Sequence, residues 1–270
     1  MDPTDQDLPG FGRPSAAAGA EPRLAPGGDD TVAAWRAEAS STTWCTLRAA
    51  SVAGVRHRLA GARSDDAFAW AHAERRLAVA VADGLGSVEG SAGASHRASA
   101  AAVAAAVGFP GEDLAGAARA GVEAANRAAG GGGATTLVVA VAGPGGETVV
   151  ARVGDSSAFT VKAGGSWAEL FEPPDPERAG TATAALPAGE PAVQTATTGL
   201  WDGAVLVLAT DGVADPWRDG PTTVAPSLAG AVLARPTAVE LLQVTDFSRH
   251  GCHDDRTLVC LWGRPEAEPG

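Results

Sequence analysis

Four apolar runs of strand length each meet an aspartate, and this repeated junction constrains the chain more than any other feature. RLAVAVA (76–82) runs into Asp83-Gly84, TVVARVG (148–154) into Asp155-Ser156, and AVLVLAT (204–210) into Asp211-Gly212. The last junction is reversed, with Asp254-Asp255 preceding RTLVCLW (256–262). A fifth acidic pair, Asp65-Asp66, leads into FAWAHA (68–73). One aspartate after a strand is ordinarily a turn or helix N-cap residue, because its carboxylate accepts backbone N–H bonds. The set has a different implication. Strands in stacked sheets can bring their ends to one edge, where gathered carboxylates repel and are costly to bury unpaired. A divalent cation removes that cost, and Mg²⁺ and Mn²⁺ prefer the oxygen ligands this set offers. Gly84 and Gly212 are read as letting the backbone pass close to the metal, with a glycine carbonyl as a further ligand. Two adjacent ions would bridge a water, lower its pKa and clamp the attacking and leaving oxygens of a phosphoryl group. This route needs no nucleophilic Ser or Cys.

Strand-like segments are expected at 42–52, 66–73, 76–83, 134–143, 147–155, 157–164, 166–172, 191–199, 203–211 and 256–262. Helix-like segments are expected at 91–109, which is Ala-rich and stops at Pro110, and at 112–129, 226–234 and 237–248. Tight turns such as GPGGE (143–147) favour antiparallel pairing. The order therefore predicts an α+β fold: a four-layer α-β-β-α sandwich of two antiparallel sheets flanked by helix pairs. Residues 1–40, rich in Pro, Gly, Ala and Asp, are read as a disordered tail with a short helix near Ala33 to Glu38. The folded domain is expected over 41–263, with a second disordered tail at 264–270. Within it, 165–200 is read as a flap around the Pro-rich insertion at 172–190, which is expected to be mobile.

A net charge of −12 disfavours nucleic acid and anionic membrane surfaces as partners. Cys45, Cys252 and Cys260, at irregular spacing, suit a reducing compartment. The first residues lack the basic-then-apolar pattern of a signal peptide, and the longest uncharged run, from Arg127 to Glu147, is broken by Gly and Pro144. A soluble, cytoplasmic, monomeric protein is expected.

Six strings, ASVAGVRHRLAGARSDDAF (50–68), VAVADGLGSVEGSAGAS (79–95), GATTLVVAV (133–141), ARVGDSSAF (151–159), LVLATDGVADPW (206–217) and HDDRTLVCLW (253–262), occur in the order and content of a known family. From about 46 to 262 the chain resembles the metal-dependent protein phosphatase 2C family, and more closely its compact bacterial branch. The resemblance implies two Mg²⁺ or Mn²⁺ ions at one edge of a β-sandwich. Position by position, Asp83 is similar to the residue that bridges both ions, the carbonyl of Gly84 to a backbone ligand, and Asp211 and Asp254 to ligands of the other ion. Asp66 matches the aspartate of the N-terminal acidic pair, and Asp65 would reach a metal through water. Asp155 and Asp215 match the acids that hold a weaker third metal in some bacterial members. Many members grip the substrate phosphate with an Arg four residues before that pair. Gly61 stands there in this chain, so Arg63, Arg58 and His57 are the nearby candidates. His57 is expected either to protonate the leaving alkoxide or to be a strand-end histidine bonded to backbone.

Rival motifs fail on spacing. His250, Cys252 and His253 lack a clear fourth zinc ligand. GLGSVEG (84–90) misplaces the third glycine of a dinucleotide fingerprint, and the GGGG run (130–133) is not followed by the Lys-Ser/Thr of a P-loop. No G-x-S-x-G elbow occurs. Trp167 and Trp201 flank the flap and are expected in the core, with substrate contact as the alternative. The function expected is hydrolysis of phosphoserine and phosphothreonine in proteins by a metal-bridging hydroxide, opposing the Ser/Thr kinases of the same cell. Two alternatives stand beside it: a catalytically weak, phosphatase-like binding module, and a two-metal phosphatase for small phosphoesters.

Overall fold

In the computed structural model, which describes residues 35–42, 44–73, 75–172, 183–200, 203–218, 224–247 and 253–263, strands and helices follow one another as two sheets and two helical layers. The first sheet contains β1 (Trp35–Ser41), β2 (Cys45–Val52), β7 (Ser157–Val161), β8 (Trp167–Glu169), β10 (Val205–Ala209) and β11 (Arg256–Gly263), in the order β1-β2-β11-β10-β7-β8. The second contains β3 (Ala67–Ala73), β4 (Arg76–Ala82), β5 (Leu137–Ala142), β6 (Glu147–Val153) and β9 (Gln194–Gly199), in the order β3-β4-β5-β6-β9. Every pairing is antiparallel. The helices are α1 (Val55–Ala60), α2 (Ser91–Gly108), α3 (Leu114–Ala129), α4 (Asp211–Arg218), α5 (Ala225–Leu233) and α6 (Ala238–Thr245).

The period of two in a strand sorts side chains between cores. In β4, Leu77, Val79 and Val81 join Leu206, Leu208 and Val259 of the first sheet, whereas Ala78, Ala80 and Ala82 lie under α2 and α3. Small residues on that face let the Ala-rich helices come close. A Cβ on Gly121 of α3 would already be 3.0 Å from the Ala102 oxygen of α2. In β10, Leu206 and Leu208 point between the sheets, and Val205, Val207 and Ala209 pack with α4, α5 and α6. Both faces of the central strands are therefore buried, which is why they read as continuous apolar runs. Each fully buried Val or Leu contributes about 1.5–3 kcal/mol.

Two antiparallel sheets with helices are as expected, and α2 and α3 form the expected pair on one side. The other side carries α4 as well as the pair α5 and α6, because Asp211 opens a helix that was not among the expected ones. The expected start of the domain at 41 is corrected. Trp35–Ser41 pairs along its whole length with β2, so neither a helix near 33–38 nor a tail as far as 40 holds. Its Glu38 is buried by partners, accepting from Arg36 Nε at 2.9 Å and Trp70 Nε1 at 2.7 Å. The tails at 1–34 and 264–270 lie outside the described residues. The flap is corrected in part. Leu186 is fully buried and bridges Thr135, Asn126 exchanges two 2.8 Å hydrogen bonds with the Ala188 backbone, and 194–199 is strand β9. Residues 173–182 of that insertion lie outside the described residues. No described helix is long and apolar enough to cross a membrane.

Candidate metal centre

Antiparallel register assembles the acidic edge. Ala209 at the end of β10 stands opposite Leu258 of β11, so Thr210-Asp211 leaves the sheet where Asp254-Asp255 enters it. Thr210 fastens the junction: its hydroxyl donates to Asp66 Oδ2 at 2.7 Å and accepts from Thr257 N at 3.0 Å. On the second sheet, the Asp83 main chain is clamped as β4 ends. Its N–H donates to Thr136 Oγ1 at 3.2 Å, and its carbonyl accepts from Thr135 Oγ1 and Thr136 N, both at 2.8 Å. Backbone clamping leaves the carboxylate of Asp83 available to the edge.

The carboxylates crowd one another. Burial pushes Asp83 up to about 11, reinforced by the charges of Asp66, Asp211, Asp254 and Asp155. Burial raises Asp211 to about 7, with Asp254, Asp155 and Asp215 adding repulsion, while the Asp83 carboxyl within hydrogen-bonding reach partly offsets this. Asp66, fully enclosed, is held well above the ordinary carboxylate range by burial and then by Asp255, against the Thr210 hydrogen bond. Asp65 is raised by burial, and the neighbouring His57 opposes the rise. Such a set is an oxygen-donor site that needs positive charge. Asp155 makes the same point in another way: Thr183 donates to its Oδ2 at 3.0 Å, while its buried Oδ1 has no hydrogen-bond partner. Among the described residues no three acids, histidines or cysteines already close as a cage. Asp83, Gly84, Asp211, Asp254 and Asp66 are the residues that could hold ions, with Asp65 and Asp155 beside them.

The glycines have a structural reason beside the one expected. A Cβ on Gly212 would stand 1.9 Å from the Asp255 carbonyl oxygen, and one on Gly84 would stand 2.7 Å from that of Asp65. Both positions let backbone pass against backbone, which is what sets the acids side by side.

His57 sits on α1, not at a strand end, and its contact is a carboxylate rather than backbone. Its Nδ1 is 2.8 and 3.0 Å from the two oxygens of Asp255, and its Nε2 is 3.6 Å from Asp65 Oδ2. Burial alone would lower the imidazole pKa, but the Asp255 hydrogen bond and the charges of Asp255, Asp65 and Asp254 raise it. Asp255, which the sequence reading passed over in favour of Asp254, also accepts from Gly54 N at 2.5 Å and Asp65 N at 2.6 Å. It ties α1, the Asp65-Asp66 loop and β11 together. The signal was in the Asp254-Asp255 pair, but the partners lie about 200 residues away in sequence, at a separation of 201 for Gly54.

A cleft of about 370 Å³ opens beside these acids, lined by Arg56, Asp211, Gly212, Asp215, Pro216, His253 and Asp254. Arg56 was not among the expected phosphate contacts. Arg58 was, but it turns away, bonding Asp246 Oδ1 at 3.1 Å and lying over the Trp35 ring at 5.7 Å. Arg63 is exposed and its charge reaches Asp65. Asp215 is held by Arg218 at 2.5 Å. Trp167 packs against Phe159 and Trp217 in the outer core. Trp201, His250 and Cys252 lie outside the described residues, and His253 is exposed.

The raised acids set a pH dependence. The folded chain keeps protons on Asp83 and Asp211 that the unfolded chain releases near the ordinary value of 3.8. Their stabilising contribution is complete below that value and is lost as pH rises through about 7 for Asp211 and towards about 11 for Asp83. The Tm of chelated protein is therefore expected to fall between about pH 5 and about pH 8, and millimolar Mn²⁺ to remove most of the fall. A flat or rising apo profile over that range would contradict the crowding described.

A sequence profile described as Protein phosphatase 2C matches residues 53–243. No curated protein sequence matches the chain. Solved structures are similar over most of its length. The serine/threonine phosphatase of S. agalactiae is 15% identical with a TM-score of 0.61, covering 81% of this chain and 99% of that one. RsbX in complex with magnesium is 16% identical with a TM-score of 0.57, covering 85% and 100%. The catalytic domain of the serine threonine protein phosphatase PstP, in complex with two manganese ions, is 22% identical with a TM-score of 0.56, covering 82% and 98%. At these identities the likeness is one of fold.

Proposed function

The chain belongs to the protein phosphatase 2C family, and from that premise we propose that it hydrolyses phosphoserine and phosphothreonine in proteins, using two Mn²⁺ or Mg²⁺ ions held at the acidic edge. The observation that carries this reading is the gathering of Asp83, Asp66, Asp211, Asp254 and Asp155 at one edge, where burial first and the neighbouring charges second push Asp83 up to about 11. Similar proteins were solved with such ions, RsbX with magnesium and PstP with two manganese ions. When bound, the ions supply an activated water and neutralise charge on the phosphoryl oxygens.

The chain's own residues complete the chemistry. Among the described residues Arg56 has no ion pair, so its guanidinium is available to a phosphoryl oxygen in the cleft. His57, whose affinity for a proton is raised by Asp255 against the effect of burial, is placed to donate a proton to the leaving alkoxide. Asp255 orients that ring and fixes its Nδ1 as a donor. The substrates proposed are phosphorylated proteins, including Ser/Thr kinases or their targets, in a reducing cytoplasm. The described cysteines Cys45 and Cys260 are buried and form no disulfide, which accords with that setting.

The substrate class is tested by comparing kcat/KM for a phosphoseryl peptide with that for small phosphoesters. A preference for the peptide supports the proposal, and a preference for the small esters favours a hydrolase of small molecules instead. Arg56→Ala is expected to raise KM for the peptide about tenfold, the scale of one charge-assisted hydrogen bond. Arg58→Ala is expected to change it by less than about twofold, since its charge is already paired. A loss confined to Arg63→Ala would move the phosphate contact to that residue.

A further inference from the structure

The acids expected to hold a third ion do not stand as an open site. Arg218, at the end of α4, places Nη1 on Asp215 Oδ1 at 2.5 Å and Nη2 at 3.4 Å from the main-chain oxygen of Asp155. It is fixed from the other side by Glu169 of β8, which accepts from Arg218 Nε at 3.0 Å and Nη2 at 2.7 Å. Glu169 is itself enclosed, with 8% of its side chain exposed, and is shared with Arg152, whose Nη1 is 3.9 Å away. Ser157 donates to the same carboxylate. Two guanidiniums on one carboxylate leave a net charge of about +1, turned towards Asp215 and Asp155. A bidentate fork anchored this way has little freedom to swing aside.

Resting on the two-ion reading above, we infer that Arg218, anchored by Glu169, is an internal cation that takes the place of a third metal at Asp155 and Asp215. The protein then loads two divalent ions, and the third site exists only when the guanidinium is removed. The consequence is specific to this chain: Arg218 supplies a permanent positive charge on Asp215 and against the Asp155 main chain. It positions Asp215 rather than touching substrate.

The test is the number of Mn²⁺ ions bound by the full chain after chelation and dialysis, measured by titration calorimetry into the millimolar range. Wild type is expected to bind two, and Asp215→Asn to bind two as well. Arg218→Met, which keeps the stem and removes the charge, is expected to bind a third ion, and that ion to be lost again when Asp215→Asn is added. Three ions in wild type falling to two in Asp215→Asn would overturn the inference, and so would two ions in a folded Arg218→Met. Where Arg218→Met does not fold, the comparison of wild type with Asp215→Asn decides alone. Binding of no ion at all is the distinct outcome that would overturn the two-ion reading itself.

Discussion

Asp83→Asn is expected to lower kcat on p-nitrophenyl phosphate by about three orders of magnitude or more, the loss that follows when a metal-clamped phosphoryl transfer loses several kcal/mol of charge stabilisation. The substitution keeps the shape of the side chain and removes the charge through which ions would be held. Its effect on stability should have the opposite sign. In metal-free protein Asp83 is a liability, pushed up to about 11 by burial and by four neighbouring carboxylates, so a neutral amide removes the cost of keeping that carboxyl protonated near neutral pH. The variant should melt no lower than wild type after chelation, and should gain less from added Mn²⁺. Loss of activity together with a lower apo Tm would mean that the residue is structural. Near-normal turnover would remove Asp83 from the centre of the site.

Gly212→Ala is expected to be among the most damaging single methyl additions in the domain. The added Cβ would lie 1.9 Å from the Asp255 carbonyl oxygen, and the obstacle is backbone rather than a side chain that can rotate away. Separating α4 from the start of β11 should cost about 3 kcal/mol, or a fall of about 10 °C in Tm. It would also move Asp211 relative to Asp254, so metal affinity should fall with stability. Gly230→Ala is the control. It is exposed in α5 with nothing within 4 Å of the added atom, and should leave Tm unchanged or raise it slightly. Equal behaviour of the two variants would show that the close approach at Gly212 is not what holds the edge together.

The strands that frame the site were legible because their burial is two-sided. RLAVAVA and AVLVLAT read as strands from their own residues, since neither face meets water. The three missed elements lack such a signal. Strand β1 carries Arg36 and a buried Glu38 whose partners, Arg36 and Trp70, are visible only in three dimensions, so its sequence looked helical or unstructured. Helix α1 is six residues long with none buried, so it has no apolar period to read. Helix α4 contains Pro216 and begins on the aspartate that otherwise marks a strand end.

The acidic set was legible for a related reason. Each aspartate directly follows or precedes a buried strand, and antiparallel pairing then carries it to the edge. What the sequence did not reveal were the residues whose role depends on contacts remote along the chain. Asp255 is tied to Gly54, His57 and Asp65, and Arg218 to Glu169, which is 49 residues away. Arg56 and Arg58 are two positions apart on one short helix, and only the structure separates the one that lines the cleft from the one that faces Asp246.

The central claim is that the crowded carboxylates are a working metal centre and not a set of turn residues. Release of inorganic phosphate from a phosphoseryl peptide, measured for the same preparation before chelation, after complete chelation and after addition of Mn²⁺ or Mg²⁺, tests it most directly. The account predicts turnover that vanishes on chelation and returns with either or both ions. Turnover that survives complete chelation would contradict it.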